Sequence, residues 1–408
     1  MKNSLPPEKE RKMRKMKTNI CIPVAIQLCF DDVGWHEGTD MRYEGRAPRS
    51  GIPRHHEPED YEILSELGRS INQKILAPLV LGDWDRCNYL RGQVGFTHDP
   101  EGWDRASEID YEKTERCFSI LDGSDYIEYA IHGLLHSVYT PKGELITAKE
   151  YFDVVEENGE KKLVLDSDEV FNRRLDLFYK IYDSWGFRKK IRTFVSPCGM
   201  KFADDEMVTD LERRLSERGI RFHTNYTFHF DDPLRVYSGV TLMKKGCSYL
   251  KPGGILEWNV YDFEPSDFVP FVSPDNFNGT NIIGLHWTNL LRYNPKRNME
   301  RLPEWVAFFK RESETFGTMI SRDIGFSATQ QFYNLFAKTD VFDGKCRIDL
   351  SEVKKIKTDV CPDEFYLSFK HGTVPKGCTG GVISLYEVHG DFNTYKVSHT
   401  SDIIEITL

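Results

Sequence analysis

Apolar and polar positions follow two rhythms along this chain. Short, nearly unbroken apolar runs lie at Ile22–Phe30, Ile75–Leu81, Tyr126–Ile131, Ile191–Val195, Ile255–Tyr261 and Asn281–Leu285. Among them lie stretches with helical spacing at Glu59–Ile71, Asp110–Leu121, Asp168–Ser184, Asp205–Arg218 and Pro303–Glu314. Continuous apolar runs suit strands covered on both faces. Such strands alternating with helices predict βα units and an α/β fold built on a parallel sheet or barrel. The rhythm changes after Phe336. Short β-rich segments follow at Cys346–Val353, Glu364–Lys370, Gly381–His389, Thr394–His399 and Ile403–Leu408, several of them separated by Gly or Pro. That pattern predicts a small antiparallel β domain after one or two helices. The charged stretch 137–166 carries Asn158-Gly159 between two short β runs and reads as an insertion with a hairpin turn. The domain expectation is a flexible tail over 1–18, a (β/α) barrel over 19–325 and a C-terminal β-sandwich-like domain over 340–408.

Charge and composition narrow the classes. The 408 residues carry 54 Lys+Arg against 64 Asp+Glu, a formal net charge of -10. A nucleic-acid-binding domain would be basic, so none is expected. No apolar run approaches the ~18 residues of a membrane span, so no membrane partner is expected either. The nine cysteines are scattered, odd in number and without a CxxC pair, which reads as reduced thiols in a cytoplasmic protein. The basic tail and the run Ile22–Phe30 are followed by Asp31 and Asp32 instead of a small-residue cleavage site. The run therefore reads as a strand rather than a signal peptide. A homo-oligomer is compatible with all of this.

Four segments could carry chemistry. Phe30-Asp31-Asp32-Val33-Gly34 ends the first run with two carboxylates that project differently. One can hold a cation while the other stays free as a base; the plain alternative is an acidic turn. His132 and His136 stand four apart after a later run, close enough on one helical face to share a metal, or else structural. Two histidines and a carboxylate leave coordination positions open for water and substrate. Both segments fall at strand ends, where parallel barrels place their chemistry. Thr193–Gly199 is a strand exit whose backbone N–H could face a developing oxyanion. His286 follows a short strand and could act as a general acid, since a free histidine titrates near pH ~6.5. For each of the last two, an ordinary turn or a packed histidine is the alternative.

The order of these pieces resembles the polysaccharide deacetylase (NodB-homology, carbohydrate esterase family 4) superfamily. Its F-D-D-G-like, H-S/T-x-x-H, R-x-P-like, acidic-or-aromatic and L-x-H-like motifs are met in order. They correspond to Phe30-Asp31-Asp32, His132…His136, Pro197 with Gly199, Glu257-Trp258 and Leu285-His286. The resemblance covers roughly residues 19–300. It implies an irregular (β/α) barrel of the deacetylase type with a small all-β domain appended. It further implies Asp31 as catalytic base, and Asp32, His132 and His136 as ligands of a divalent metal. Zinc comes first for such a site; Co²⁺, Ni²⁺ and Fe²⁺ suit the same donors. The backbone N–H of Cys198 would face the oxyanion and His286 would protonate the leaving group. Trp258 and Trp287, with Pro197, would lie near the substrate groove. Trp35, His36 and Trp84, in the first two strand-to-helix connections, are expected at its rim. The sequence departs from the family at Gly133, where Ser or Thr is usual, and at Val33, where Gly is usual. Arg192 stands too far before Pro197 for R-x-P, so the group orienting the base is left open. Glu257 and Asp262 are candidates for the acidic partner of His286.

The functional expectation is a metal-dependent hydrolase removing an acyl group, N-acetyl foremost, from a saccharide or glycan. Two alternatives stand beside it. One is a metal-independent glycoside hydrolase, which needs a carboxylate pair about 5–9 Å apart. The other is a non-catalytic glycan-binding protein. Among the remaining polar residues, His55-His56 reads as a solvated loop pair, and His223 and His229 as strand and core packing.

Overall fold

The computed structural model describes residues 19–35, 54–157, 159–197, 204–226, 228–247, 281–287, 290–292 and 294–408. Seven parallel strands close into a barrel: β1 Val24–Asp31, β2 Ile75–Val80, β3 Ile127–Gly133, β4 Thr193–Val195, β5 Phe222–Asn225, β6 Val240–Cys247 and β7 Ile282–His286. Each pairs with the next in sequence, and β7 returns to β1. The first four connections carry helices α1 Pro58–Ile71, α2 Tyr111–Gly123, α3 Asp168–Trp185 and α4 Asp205–Glu217. Polar residues start the helices where the sequence places them. Asp110, Ser167 and Asp204 each accept a first-turn N–H from α2, α3 and α4 respectively. Helices α5 Leu302–Ser313 and α6 Ile324–Phe336 follow β7.

The expected strands near 22–30, 75–81, 126–131, 191–195 and 281–285 are all barrel strands. The run Ile255–Tyr261 lies outside the described residues. Strands β5 and β6 were not anticipated as barrel members. His223, Thr224 and Asn225 break the apolar pattern in β5, and Lys244 and Lys245 break it in β6. One polar residue inside β1 has a local reason. Strands β1 and β2 pair only at Cys29 and Leu76. Gln73 fills the gap like a short piece of strand: its Oε1 accepts Leu28 N–H at 2.9 Å and its Nε2 donates to Ile26 O at 2.8 Å. Gln27 does the same toward Lys74 O at 2.8 Å. Two buried side chains thus supply the backbone partners that the missing ladder would have provided.

The C-terminal part forms two four-stranded antiparallel sheets. One contains β8 Lys338–Phe342, β9 Lys345–Asp349, β11 Gly377–Thr379 and β14 Ile403–Thr407. The other contains β10 Glu364–Lys370, β12 Gly381–Val388, β13 Phe392–His399 and the short strand Ile20–Cys21 from the beginning of the chain. The run Cys346–Val353 is therefore corrected. Its strand ends at Asp349, whose carboxylate accepts Ser351 N–H at 2.9 Å, and Ser351–Ile356 is helical. Helix α6 ties barrel to sheets, since Gln330 Nε2 donates to both Pro23 O and Tyr366 O at 3.0 Å. The stretch 137–166 folds as two successive hairpins, Val138–Tyr139 with Leu145–Thr147 and Phe152–Glu157 with Glu160–Leu165. Cys21, Cys29, Cys87, Cys117, Cys346, Cys361 and Cys378 are free thiols. No described helix is long and apolar enough to cross a membrane.

Candidate metal centre

The turn after β1 builds one half of the site. Asp31 ends the strand in register with His286 of β7. Asp32 then takes φ 66°, the left-handed region that aspartate tolerates better than most residues. This reversal lets Val33 bridge back onto Leu79 of β2, with Val33 N–H donating to Pro78 O at 3.0 Å. Val33 is fully buried there, which accounts for an apolar residue where the family pattern has glycine. Gly34, at φ 91°, makes the next turn.

The end of β3 builds the other half. His132 is the penultimate strand residue, and the chain then turns through Gly133 at φ 148° and His136 at φ 56°. His132 Nε2 lies 3.2 Å from Asp32 Oδ1 and His136 Nε2 lies 3.8 Å from the same oxygen. His286 Nε2 reaches Asp32 Oδ2 at 3.7 Å from β7. One ligand atom from each of Asp32, His132 and His136 lies within 4.8 Å of the other two. These three side chains are buried, whereas His286 keeps 34% of its side chain exposed.

The donor set suits a divalent cation. His132 Nδ1 lies 2.8 Å from Val195 O. A carbonyl can only accept, so that nitrogen carries the proton and a neutral His132 turns the lone pair of Nε2 toward Asp32. Backbone anchoring of the far ring nitrogen is the usual support of a metal-ligating histidine. Both Asp32 oxygens are buried and have no hydrogen-bond partner of proper geometry among the described residues. A buried carboxylate without donors is costly unless a proton or a cation lies against it. Protonation behaviour agrees for Asp32 and His136. Burial would raise the Asp32 carboxyl, but His132, His136 and His286 outweigh it and hold it well below the usual carboxylate range. Burial drives His136 down to about 4, so its ring is neutral and has a lone pair to give near pH 7. For His132 burial also works downward, yet Asp32 and Asp31 prevail and raise it.

Asp31 is tied down more firmly than the sequence suggested. Lys245 Nζ, on β6, donates to its two oxygens at 2.7 and 2.5 Å. Tyr226 O–H adds a bond to Oδ2 at 2.9 Å, and Cys29 Sγ lies 3.3 Å from Oδ1. Burial opposes the charge, but Lys245 first, then His132 and His286, pull the Asp31 carboxyl below its ordinary range. The lysine reaches Asp31 across β7 only because Gly284 has no side chain. A Cβ there would sit 2.7 Å from Lys245 Cγ and Cδ and 2.8 Å from Tyr226 Cε1. Lys245 thus stands where the family pattern left the orienting group open. A lysine in a strand and a glycine in the next strand were the visible signals.

The aromatic expectations fare differently. Trp35 is buried and stacks on His136, with ring centroids 5.2 Å apart and planes 17° apart. Trp84 is corrected from a rim position to core, at 1% exposure. Its indole N–H donates to Gly34 O at 3.0 Å, and its ring is enclosed by His56, Tyr61, Trp185 and Phe187. It braces the Asp32 turn from behind. Trp287 is likewise buried, beside Tyr61. Pro197 is buried at the exit of β4. His36, Cys198, Trp258, Glu257 and Asp262 lie outside the described residues. His56 is not solvated: it is buried and bonded to Tyr61 Oη at 2.8 Å and Thr114 Oγ1 at 3.1 Å. His223 is buried as expected, but in a polar row between Ser196 and Glu212 of α4.

Compared with protein-family models, with curated proteins and with solved structures, the chain matches none.

Proposed function

We propose that this protein is a metal-dependent hydrolase that removes an acyl group, N-acetyl foremost, from a saccharide, in the manner of the polysaccharide deacetylases it resembles. One observation carries the reading. A buried carboxylate with no hydrogen-bond partner of proper geometry among the described residues, Asp32, faces two buried imidazoles at the C-terminal end of a parallel barrel, beside a second carboxylate engaged elsewhere. Asp32, His132 and His136 would hold the cation. When bound, a divalent cation there supplies Lewis acidity, activating a water and polarising an acyl oxygen. Asp31 accepts the proton of the attacking water at a carboxylate oxygen, and Lys245 and Tyr226 keep that carboxylate ionised and oriented. His286, the most exposed of the ring residues, donates a proton to the departing nitrogen or oxygen. Trp35 fixes the plane of the His136 ring and keeps water from that side. The saccharide assignment is supported by motif order alone.

Elemental analysis of the purified protein tests the reading before any substrate is known. About one divalent metal per chain is expected. His132→Ala and His136→Ala should lose it, while Asp31→Asn should keep it and lose acetate release from N-acetylated saccharides. Full metal occupancy in the double histidine variant overturns the assignment. The grip of Lys245 on both Asp31 oxygens favours one second reading, a metal-holding glycan-binding protein without turnover. Stoichiometric metal with no acetate release across a broad panel of acetylated sugars would select it.

A further inference from the structure

The turn that carries His136 is organised by a residue far from any motif. Between the two hairpins of 137–166, Glu150 buries its carboxylate completely beneath this turn. Leu134 N–H donates to both its oxygens at 3.0 Å, and Leu135 N–H and His136 N–H donate to Oε2 at 3.1 and 2.8 Å. Three consecutive peptide N–H groups therefore converge on one carboxylate, a nest that an uncharged turn would leave to water or to a bound anion. Arg174 of α3 stands behind it, with Nη1 4.0 Å from Oε1 and Nε 2.7 Å from Asp166. Gly133 belongs to the same device. At φ 148° it is in backbone territory that side chains avoid, and a Cβ there would collide with the Glu150 carboxylate. The glycine standing where the family has Ser or Thr thus makes room for an acid from another segment. The turn is also fixed from the β2 side, where Leu81 N–H donates to Gly133 O at 3.1 Å and Gly82 N–H to Leu134 O at 2.6 Å.

We propose that Glu150 is the positioning residue of the metal-binding pair: by collecting the N–H groups of residues 134–136 it holds His136 at φ 56° with its ring turned toward Asp32. The 137–166 segment is then the scaffold of the site and no mere decoration of the barrel. This inference rests on the metal reading above for its consequence, but not for the clamp itself. Groups that orient metal ligands typically change affinity by ~10–100-fold when removed.

The test compares wild type with Glu150→Gln, Glu150→Asp and Glu150→Ala in two readouts. The first is Zn²⁺ affinity by competition with a chromophoric chelator, together with the visible spectrum of the Co²⁺ form. The second is amide hydrogen exchange of residues 134–136 in the metal-free protein. Glu150→Gln should weaken Zn²⁺ binding by about 10–100-fold, alter the Co²⁺ bands and speed exchange of these amides at least ~10-fold, with far-UV dichroism unchanged. Glu150→Asp should recover part of each effect. A residue important for folding alone would lower the melting temperature and leave affinity and the Co²⁺ bands of the folded protein as they were. Wild-type affinity and wild-type exchange in folded Glu150→Gln overturn the proposal. Should Glu150→Ala fail to fold, the Gln variant decides. A wild-type chain that binds no Zn²⁺ sinks the metal reading, and the exchange arm still decides the clamp.

Discussion

Replacing Lys245 by methionine removes one partner of a fully enclosed ion pair beside the site and leaves its volume nearly intact. The pair is buried, at 0% and 3% side-chain exposure, with both Asp31 oxygens engaged. Breaking such a pair from one side typically costs 3–5 kcal/mol, because the other charge stays buried without compensation. Asp31 has a way out, since it can take up a proton. At pH 7 that costs about 1.36 kcal/mol for each unit above the free value of ~3.9, which caps the loss near 4 kcal/mol. Tyr226 and Cys29 remain beside the carboxylate and soften the loss further. The expected destabilisation of the metal-free, chelator-treated protein is therefore about 3–4 kcal/mol at pH 7 and no more than about 1.5 kcal/mol at pH 5. The sign follows from linkage. The wild-type carboxyl lies below its unfolded value, so its contribution is fully present above pH ~4 and is lost only as pH falls further. The variant's neutral Asp31 instead binds a proton that the unfolded chain has released, so the variant weakens as pH rises. The assay is urea unfolding at the two pH values within a double-mutant cycle with Asp31→Asn. Lys245→Met/Asp31→Asn should be more stable than the sum of the single effects by at least ~2 kcal/mol. A single-variant loss under 1 kcal/mol at pH 7, or coupling below about 0.5 kcal/mol, would refute the view that this pair is a tightly coupled unit.

Gly284→Ala places a Cβ against Lys245 and Tyr226, and should destabilise by about 1–3 kcal/mol through overpacking. Combining it with Lys245→Ala should cancel most of that penalty in the same urea assay, and an unrelieved penalty would place the clash elsewhere. Glu128, whose Oε1 accepts Ile324 N–H at 2.7 Å, is pushed up to about 8, first by burial and then by Asp323. An acid raised in the folded state favours folding fully below its unfolded value near ~4.3, and that contribution is lost as pH climbs toward 8. Glu128→Gln keeps the acceptor and should flatten the fall in melting temperature between pH 5 and pH 9, and an unchanged slope would refute this.

Much of the scaffold is legible from short-range pattern. Apolar runs at 22–30, 75–81, 126–131, 191–195 and 281–285 are barrel strands because a strand covered on both faces must be apolar throughout. Helices α1 to α4 follow from helical spacing, and in the fold Asp110 and Ser167 cap two of them. The carboxylates at 31–32 were placed beside His132 and His136 because strand ends in a parallel barrel share one rim, so residues about 100 positions apart meet by topology, while Asp32 rather than Asp31 as the one facing the imidazoles was implied by the family resemblance. Short-range pattern failed where polar residues are interior. Strands β5 and β6 carry His223 and Lys245 because the fold supplies each with a partner. Gln73 imitates a strand that the pattern cannot register.

The remainder was decided only when the barrel closed. Lys245 meets Asp31 across a glycine on a third strand, and Glu150 meets residues 134–136 from a hairpin joint. Trp84, an expected rim residue, became the brace behind Asp32. Periodicity and turn chemistry act over a few residues, so they are written locally in the chain. Which buried charge finds which donor depends on the register and curvature of a closed sheet, and those are properties of the whole fold.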